Sequence, residues 1–150
     1  MSKTYVSSAL RKRIITRANY LCEYCLIHED DTYFGCQVDH IISEKHGGAT
    51  EAKNLANACS VCNRNKGSDI GSILWETGKF IRFFNPRTDR WADHFKLNGV
   101  EIIPLTDIGT VTAQILDFND VERLLERQEL QDLGRYPPSE ALAIIRADQP

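Results

Sequence analysis

Two C-x2-C pairs punctuate the first half of this 150-residue sequence, Cys22 with Cys25 and Cys59 with Cys62. Four thiolates in short-span pairs are the ligand set of a closed tetrahedral zinc site, each pair gripping one edge of the ion. Sulfur fills every coordination position, so Zn2+ is expected to hold structure rather than to react. Between the pairs, Asp39 and His40 stand back to back behind a strand-like apolar run, and Gly47-Gly48 follows. Carboxylate and amide oxygens suit a hard cation such as Mg2+, and a neutral imidazole suits proton abstraction from water near neutral pH. Asn63 directly follows Cys62, so the zinc itself would fix its distance from Asp39. Asn54, at the end of a polar connection, is placed to bridge the backbone across that loop and hold His40 in orientation. Adjacent strand residues point to opposite faces, so Asp39 and His40 are expected to meet one phosphate only through a distortion at the strand end.

The elements that must position these residues follow from pattern. SSALRKRIITRANYLC carries Leu10, Ile14, Ala18 and Leu21 at helical spacing behind Ser7 or Ser8 as a cap, and its other face carries Arg11, Lys12, Arg13 and Arg17. The acidic HEDDT is a loop, and FGCQVDHI reads as a strand. SEKHGGATEAKN is a long polar connection, NLANA a short apolar run, and SVCNRNKGS a short helix stopped by Gly67. Farther on, Asn98-Gly99 between apolar segments predicts a hairpin with a type I′ turn. DIGTVTAQILDF reads as a helix, Asn119 followed by Glu122 as the capped start of VERLLERQELQDL, ended by Gly134, and EALAIIRA as a last helix after Pro137-Pro138.

The length suits one domain with a modest core, and the apolar share of 42% excludes wholesale disorder. No apolar run approaches a membrane span, and MSKTYVSSALRKR lacks the apolar core of a signal peptide. A cytoplasmic location with reduced thiols is therefore expected, which favours metal ligation over disulfides; Cys36, outside both pairs, is expected to pack as a small apolar group. The net charge of −3 argues against broad polyanion binding; residues 1–75 carry nine Lys/Arg against eight Asp/Glu, and residues 76–150 nine against thirteen. Any site for a polyanion is local and lies in the first half.

The order Asp39-His40-Ile41, Asn54-Leu55, Cys59-x2-Cys62-Asn63 and Lys66-Gly67 resembles the HNH endonuclease family, whose core is the ββα-metal (His-Me) finger. The resemblance covers Leu21 to Ser68. It implies an α+β fold in which a zinc-stabilised nuclease module, residues 1–72, precedes an accessory hairpin and helices, residues 73–150. It also implies a phosphodiester hydrolase with His40 as general base, Asn54 as orienter, and Asp39 with Asn63 as ligands of one catalytic Mg2+ or Mn2+. Asn63 stands where many members have a second histidine, as in HNN variants. His46, Arg64 and Lys66 are candidate phosphate contacts, against the plainer reading of an exposed loop histidine and a solvated helix face. Nucleic acid is the expected partner, DNA ahead of RNA, with no membrane involved. The rivals are an inactive zinc-knuckle binding module and an RNA-directed nuclease.

Overall fold

The computed structural model describes residues 5–146; Ala147, the last residue of the expected C-terminal helix, lies outside them, as do the first four residues of the chain. Helix α1 spans Ser8–Arg17, and Ser7 caps it by accepting from the Leu10 amide at 3.1 Å. Its buried face holds Ile14 against the core. At its far end Arg17 donates to the carbonyls of Ala52 (2.9 Å) and Leu55 (2.6 Å), anchoring the helix to the second half of the loop that faces it. Asn19 and Tyr20 then take positive φ and turn the chain into the first cysteine pair.

Strands β1 (Cys36–His40) and β2 (Leu55–Cys59) pair antiparallel, with Cys36 opposite Cys59 and His40 opposite Leu55. All five residues of β2 are buried. Helix α2 (Ser60–Lys66) follows without a gap and ends at Gly67, whose φ of 54° and ψ of −132° turn the chain away. The polar connection between the strands holds two 3-10 turns, at 44–46 and 52–54, and a third forms within the acidic loop at 29–31.

Beyond α2 lies a hairpin that sequence pattern does not announce: β3 (Gly71–Ile73) pairs with β4 (Phe80–Arg82). Each strand is only three residues long, and a glycine inside a strand normally weakens it. Here Gly71 is required, because a Cβ would sit 2.4 Å from the Ile81 carbonyl oxygen. A short helix α3 (Trp91–His94) leads directly into β5 (Phe95–Asn98), which pairs with β6 (Glu101–Pro104). This is the expected hairpin, with a different turn. Asn98 pairs with Glu101, so Gly99 and Val100 form the loop, and of these only Gly99 has positive φ. That is the Gly-X pattern of a type II′ turn rather than the type I′ expected of Asn-Gly.

Helix α4 (Asp107–Ile115) is capped by Thr106, and α5 (Val121–Asp132) by Asp120, which accepts from the Glu122 amide. The expected cap, Asn119, is instead spent on β6, where its amide makes paired bonds to the Ile102 N–H (2.9 Å) and carbonyl (2.8 Å). A 3-10 turn at 139–141 and α6 (Leu142–Ile145) close the described chain.

One apolar cluster draws on both sides of residue 72. It joins Leu21, Tyr24, Ile27 and Ala58 to Phe84, Trp91, Phe95, Ile102, Leu116, Phe118 and Tyr136. Polar bonds cross the same boundary: Trp91 Nε1 donates to the Tyr24 carbonyl at 2.9 Å, and the Tyr136 hydroxyl to the Cys25 carbonyl at 2.8 Å. The later half is thereby packed against the backbone that carries the first cysteine pair.

Candidate active site and metal centre

The four paired cysteines converge, all buried, with their sulfurs within 4.8 Å of one another. Cys25 Sγ lies 3.8 Å from Cys59 Sγ. A Zn–S bond of about 2.3 Å gives a tetrahedron whose edge is about 3.8 Å, so this separation already suits the ion. Within each pair the second residue's amide points at the first sulfur: Cys25 N to Cys22 Sγ at 3.5 Å, and Cys62 N to Cys59 Sγ at 3.4 Å. Burial pushes the Cys22 thiol well up, whereas bonds from the three neighbouring thiols pull Cys59 far down. Four buried thiols this close together are ones whose protons a divalent cation can replace. The donor set, its closure and its geometry fit structural zinc. Cys36 stays outside, packed at the edge of the apolar cluster with its thiol pushed up by burial.

α2, which carries Cys62, and β1, which pairs with the strand that ends in Cys59, form walls of a cavity of about 500 Å³ lined by Val38, Asp39, His40, Ser43, Glu44, Lys45, Asn63, Gly67 and Ser68. Asp39, His40 and Asn63 thus share one recess. The expected strand distortion is absent, since the β1–β2 register runs unbroken through Asp39 opposite Ala56 and His40 opposite Leu55. The two side chains instead make separate attachments. Asp39 is 3% exposed and accepts from the Tyr24 hydroxyl at 2.8 Å; Lys66, 1% exposed, places Nζ 3.2 Å from Oδ2 and 3.3 Å from Oδ1. Burial pushes the Asp39 carboxyl up, and the Lys66 ammonium opposes it. Lys66 also donates to the His40 carbonyl at 2.9 Å, so one ammonium ties the backbone of His40 to the side chain before it.

His40 Nε2 lies 2.9 Å from Thr50 Oγ1, which leaves Nδ1 as the other ring nitrogen. Thr50 belongs to a loop that Asn54 clamps. Asn54 accepts from the Ile42 amide and donates to the carbonyls of Ile42 and Ala49, each at 2.9 Å. Gly48 lets this loop close, because a Cβ there would lie 1.7 Å from the Ile42 carbonyl oxygen and 2.8 Å from Asn54 Nδ2. Asn63 gives its Nδ2 to Gln37 Oε1 at 2.5 Å, leaving its carbonyl oxygen as a hard donor. The oxygens of Asp39 and Asn63 are of the right type for Mg2+ or Mn2+, with the condition that Asp39 must share its carboxylate with Lys66.

The candidate phosphate contacts are dispersed. His46 is exposed and does not line the cavity. Arg64 lines a different recess with Asp117, Asp120, Glu122 and Arg123. Lys66 is buried and turned inward onto Asp39, a placement that is neither the expected phosphate contact nor the alternative solvated helix face. Sequence reasoning missed Thr50, Gln37, Tyr24 and Lys45. Thr50 and Gln37 carry no motif signal, because polar partners of a ring nitrogen or an amide are chosen by loop path and strand register.

Among the described residues, no helix is long and apolar enough to cross a membrane. Compared with models of protein families, residues 22–69 match HNH endonuclease. No curated protein and no solved structure is matched by the chain. The matched segment begins at the first zinc-pair cysteine and ends just past the α2 stop, so it contains the four-cysteine cluster and every wall of the Asp39–His40–Asn63 cavity. Residues 22–69 of this α+β chain match the HNH endonuclease domain, and the four-cysteine cluster inside that segment fits the zinc-stabilised kind.

Proposed function

We propose that the protein is an endonuclease that hydrolyses phosphodiester bonds in DNA, with His40 as general base and Asp39 and Asn63 as the residues that hold a catalytic Mg2+ or Mn2+. The observation that carries this reading is the shared cavity: a base, an acid and an amide oxygen line one recess within the segment that matches the nuclease family.

Each of the chain's own residues then has a task. Nε2 of His40 hydrogen-bonds Thr50, so in the tautomer that donates to Thr50 the bare Nδ1 accepts a proton from water. The water oxygen bonds to phosphorus as the P–O3′ bond breaks, leaving a 5′-phosphate and a 3′ oxygen that is protonated from solvent. When bound, a divalent ion would supply stabilisation of the negative charge that grows on the phosphate and leaving oxygens. Asn54 and Gly48 hold the loop on which Thr50 rides, and Gln37 sets the amide plane of Asn63. Lys66 lends positive charge beside Asp39 in a buried setting, where the field of one cation is weakly screened.

A second reading, a zinc-knuckle module that binds without cutting, draws support from one observation. Asp39 is buried and already paired, and a ligand carboxylate normally keeps an oxygen free. Incubating the purified protein with supercoiled plasmid, single-stranded DNA and RNA, each with Mg2+, Mn2+ or EDTA, separates the two. Metal-dependent nicking that His40→Ala abolishes at unchanged zinc content is the expected result. Binding of nucleic acid without cleavage under every metal would favour the second reading, and cleavage of RNA alone would change the substrate.

A further inference from the structure

The matched HNH segment ends at residue 69, yet a side chain from far beyond it reaches the zinc cluster. Arg123, in the first turn of α5, is buried and places Nη2 3.0 Å from Cys25 Sγ and 3.6 Å from Cys59 Sγ. These sulfurs belong to different C-x2-C pairs, so the guanidinium spans both knuckles. Its Nη1 meets Glu126 Oε1 at 3.2 Å at the outer edge of the contact. We propose that Arg123 is an integral part of the zinc site, an outer cation that donates to the metal-bound thiolates, retains the ion, and makes zinc retention depend on the docking of α5.

Charge gives the first argument. Four thiolates around Zn2+ leave a net charge of −2 in a buried site, and dispersing such a charge needs donors or a cation. Backbone amides serve Cys22 and Cys59, the first residue of each pair. Cys25 receives no such amide among the described contacts, and the nitrogen that reaches it is Arg123 Nη2. The guanidinium therefore supplies a bond that the knuckles leave unmade.

The second argument runs in reverse. A fully charged side chain is rarely buried without an anionic partner, and neutral thiols are poor ones. Glu126 covers only the outer nitrogen. Arg123 belongs where it is if the cluster beside it is a metal thiolate. The same helix explains how the later half contributes: α5 is held by Arg127, which donates to the carbonyls of Val100 and Phe118 at 2.7 Å, fixing the first turn over the cluster.

Outer hydrogen bonds to metal ligands draw charge off the ligand atoms, and their loss typically costs about 10- to 100-fold in metal retention. This role is independent of whether the protein cuts nucleic acid. The test uses full-length, zinc-loaded protein, with zinc transfer to a chromogenic chelator as readout at a temperature where circular dichroism shows every variant folded. Arg123→Met should release zinc at least about 10-fold faster than wild type, and Arg123→Lys should fall between. Leu125→Gly, which weakens the same helix at an exposed position away from the sulfurs and from the Arg127 contacts, should release at close to the wild-type rate. A folded Arg123→Met that holds zinc as wild type does would overturn the proposal. So would a Leu125→Gly that loses zinc equally fast, since general loosening would then suffice. If Arg123→Met does not fold, Co2+-loaded Arg123→Lys decides: a shifted thiolate-to-cobalt charge-transfer band supports the contact, and an unshifted band with unchanged release refutes it.

Discussion

Lys66 Nζ lies 3.2 Å from Asp39 Oδ2, and both side chains are almost wholly buried. A buried pair of this kind is strongly missed when only one partner is removed, by about 3–5 kcal/mol, because the other is left charged in a poor solvent. Lys66→Met should therefore lower the urea midpoint sharply, while Asp39→Asn/Lys66→Met should cost less than the two single changes together. Strict additivity in that cycle would remove the coupling. The pH dependence has a definite sign. Burial raises the Asp39 carboxyl and Lys66 opposes the rise, so without Lys66 it climbs further. A carboxyl with a raised folded value favours folding below its unfolded value, about 3.9, and withdraws that support as pH rises through the folded one. The penalty of Lys66→Met should accordingly be small in acid and grow toward neutrality.

Thr50 holds the ring of His40 through one hydrogen bond of 2.9 Å. Thr50→Val keeps the shape of the loop residue and removes the partner. If the proposed chemistry operates, kcat should fall roughly 10- to 100-fold, the scale expected when a base is misplaced by about an ångström. KM should change little. Thr50→Ser should restore most of the rate. A purely structural residue would lower thermal stability at an unchanged kcat, and such an outcome would assign Thr50 to the loop alone.

The four-cysteine cluster and the strand–loop–strand–helix order were legible because metal spacing and helix stops are local signals: Cys22-x2-Cys25, Cys59-x2-Cys62, and Gly67 after α2. Asn54 was legible too, since its amide closes the loop it ends. The state of Asp39 was not. Its burial depends on Tyr24 and Lys66 arriving from two other segments, and nothing in the Asp-His dipeptide encodes them. The cap of α5 failed for a related reason: Asn119 and Asp120 both suit a cap, and the choice fell to Asp120 because β6 claims Asn119 through Ile102. Arg123 is legible least of all, being 98 residues from the thiol it meets.

Gly48 and Asn54 form one closure, so their variants should fail alike. Gly48→Ala would drive its Cβ into the Ile42 carbonyl, a backbone atom that cannot rotate away. Overpacking of this sort costs about 1–3 kcal/mol and here shifts the loop that carries Thr50. Asn54→Ala removes three hydrogen bonds, each worth about 1 kcal/mol net. Both variants should keep full zinc content, because the cysteines lie on other elements, while cleavage drops. Loss of zinc from either would show that loop and cluster are one cooperative unit.

Asp89 provides the acid-side test for the later half. Arg82 grips its carboxylate with a fork, Nη1 to Oδ2 at 2.8 Å and Nη2 to Oδ1 at 3.0 Å, and the Asn85 amide adds a third bond at 2.9 Å. Burial pushes this carboxyl up, but the Arg82 bonds and the Asn85 amide outweigh it and hold the group below its ordinary value. A depressed folded value means the contribution to stability is present above the unfolded value and is lost as pH falls through the folded one. Asp89→Asn keeps the shape and removes the charge. Wild type should thus be more stable than Asp89→Asn at neutral pH, with the gap shrinking only as pH drops below about 4. Because Arg82 is half exposed, added salt should narrow the gap at neutral pH as well. Parallel pH–stability curves for the two proteins down to strong acid would mean that the turn at 85–89 is held by its backbone bonds, and that the fork on β4 contributes no charge-dependent stability.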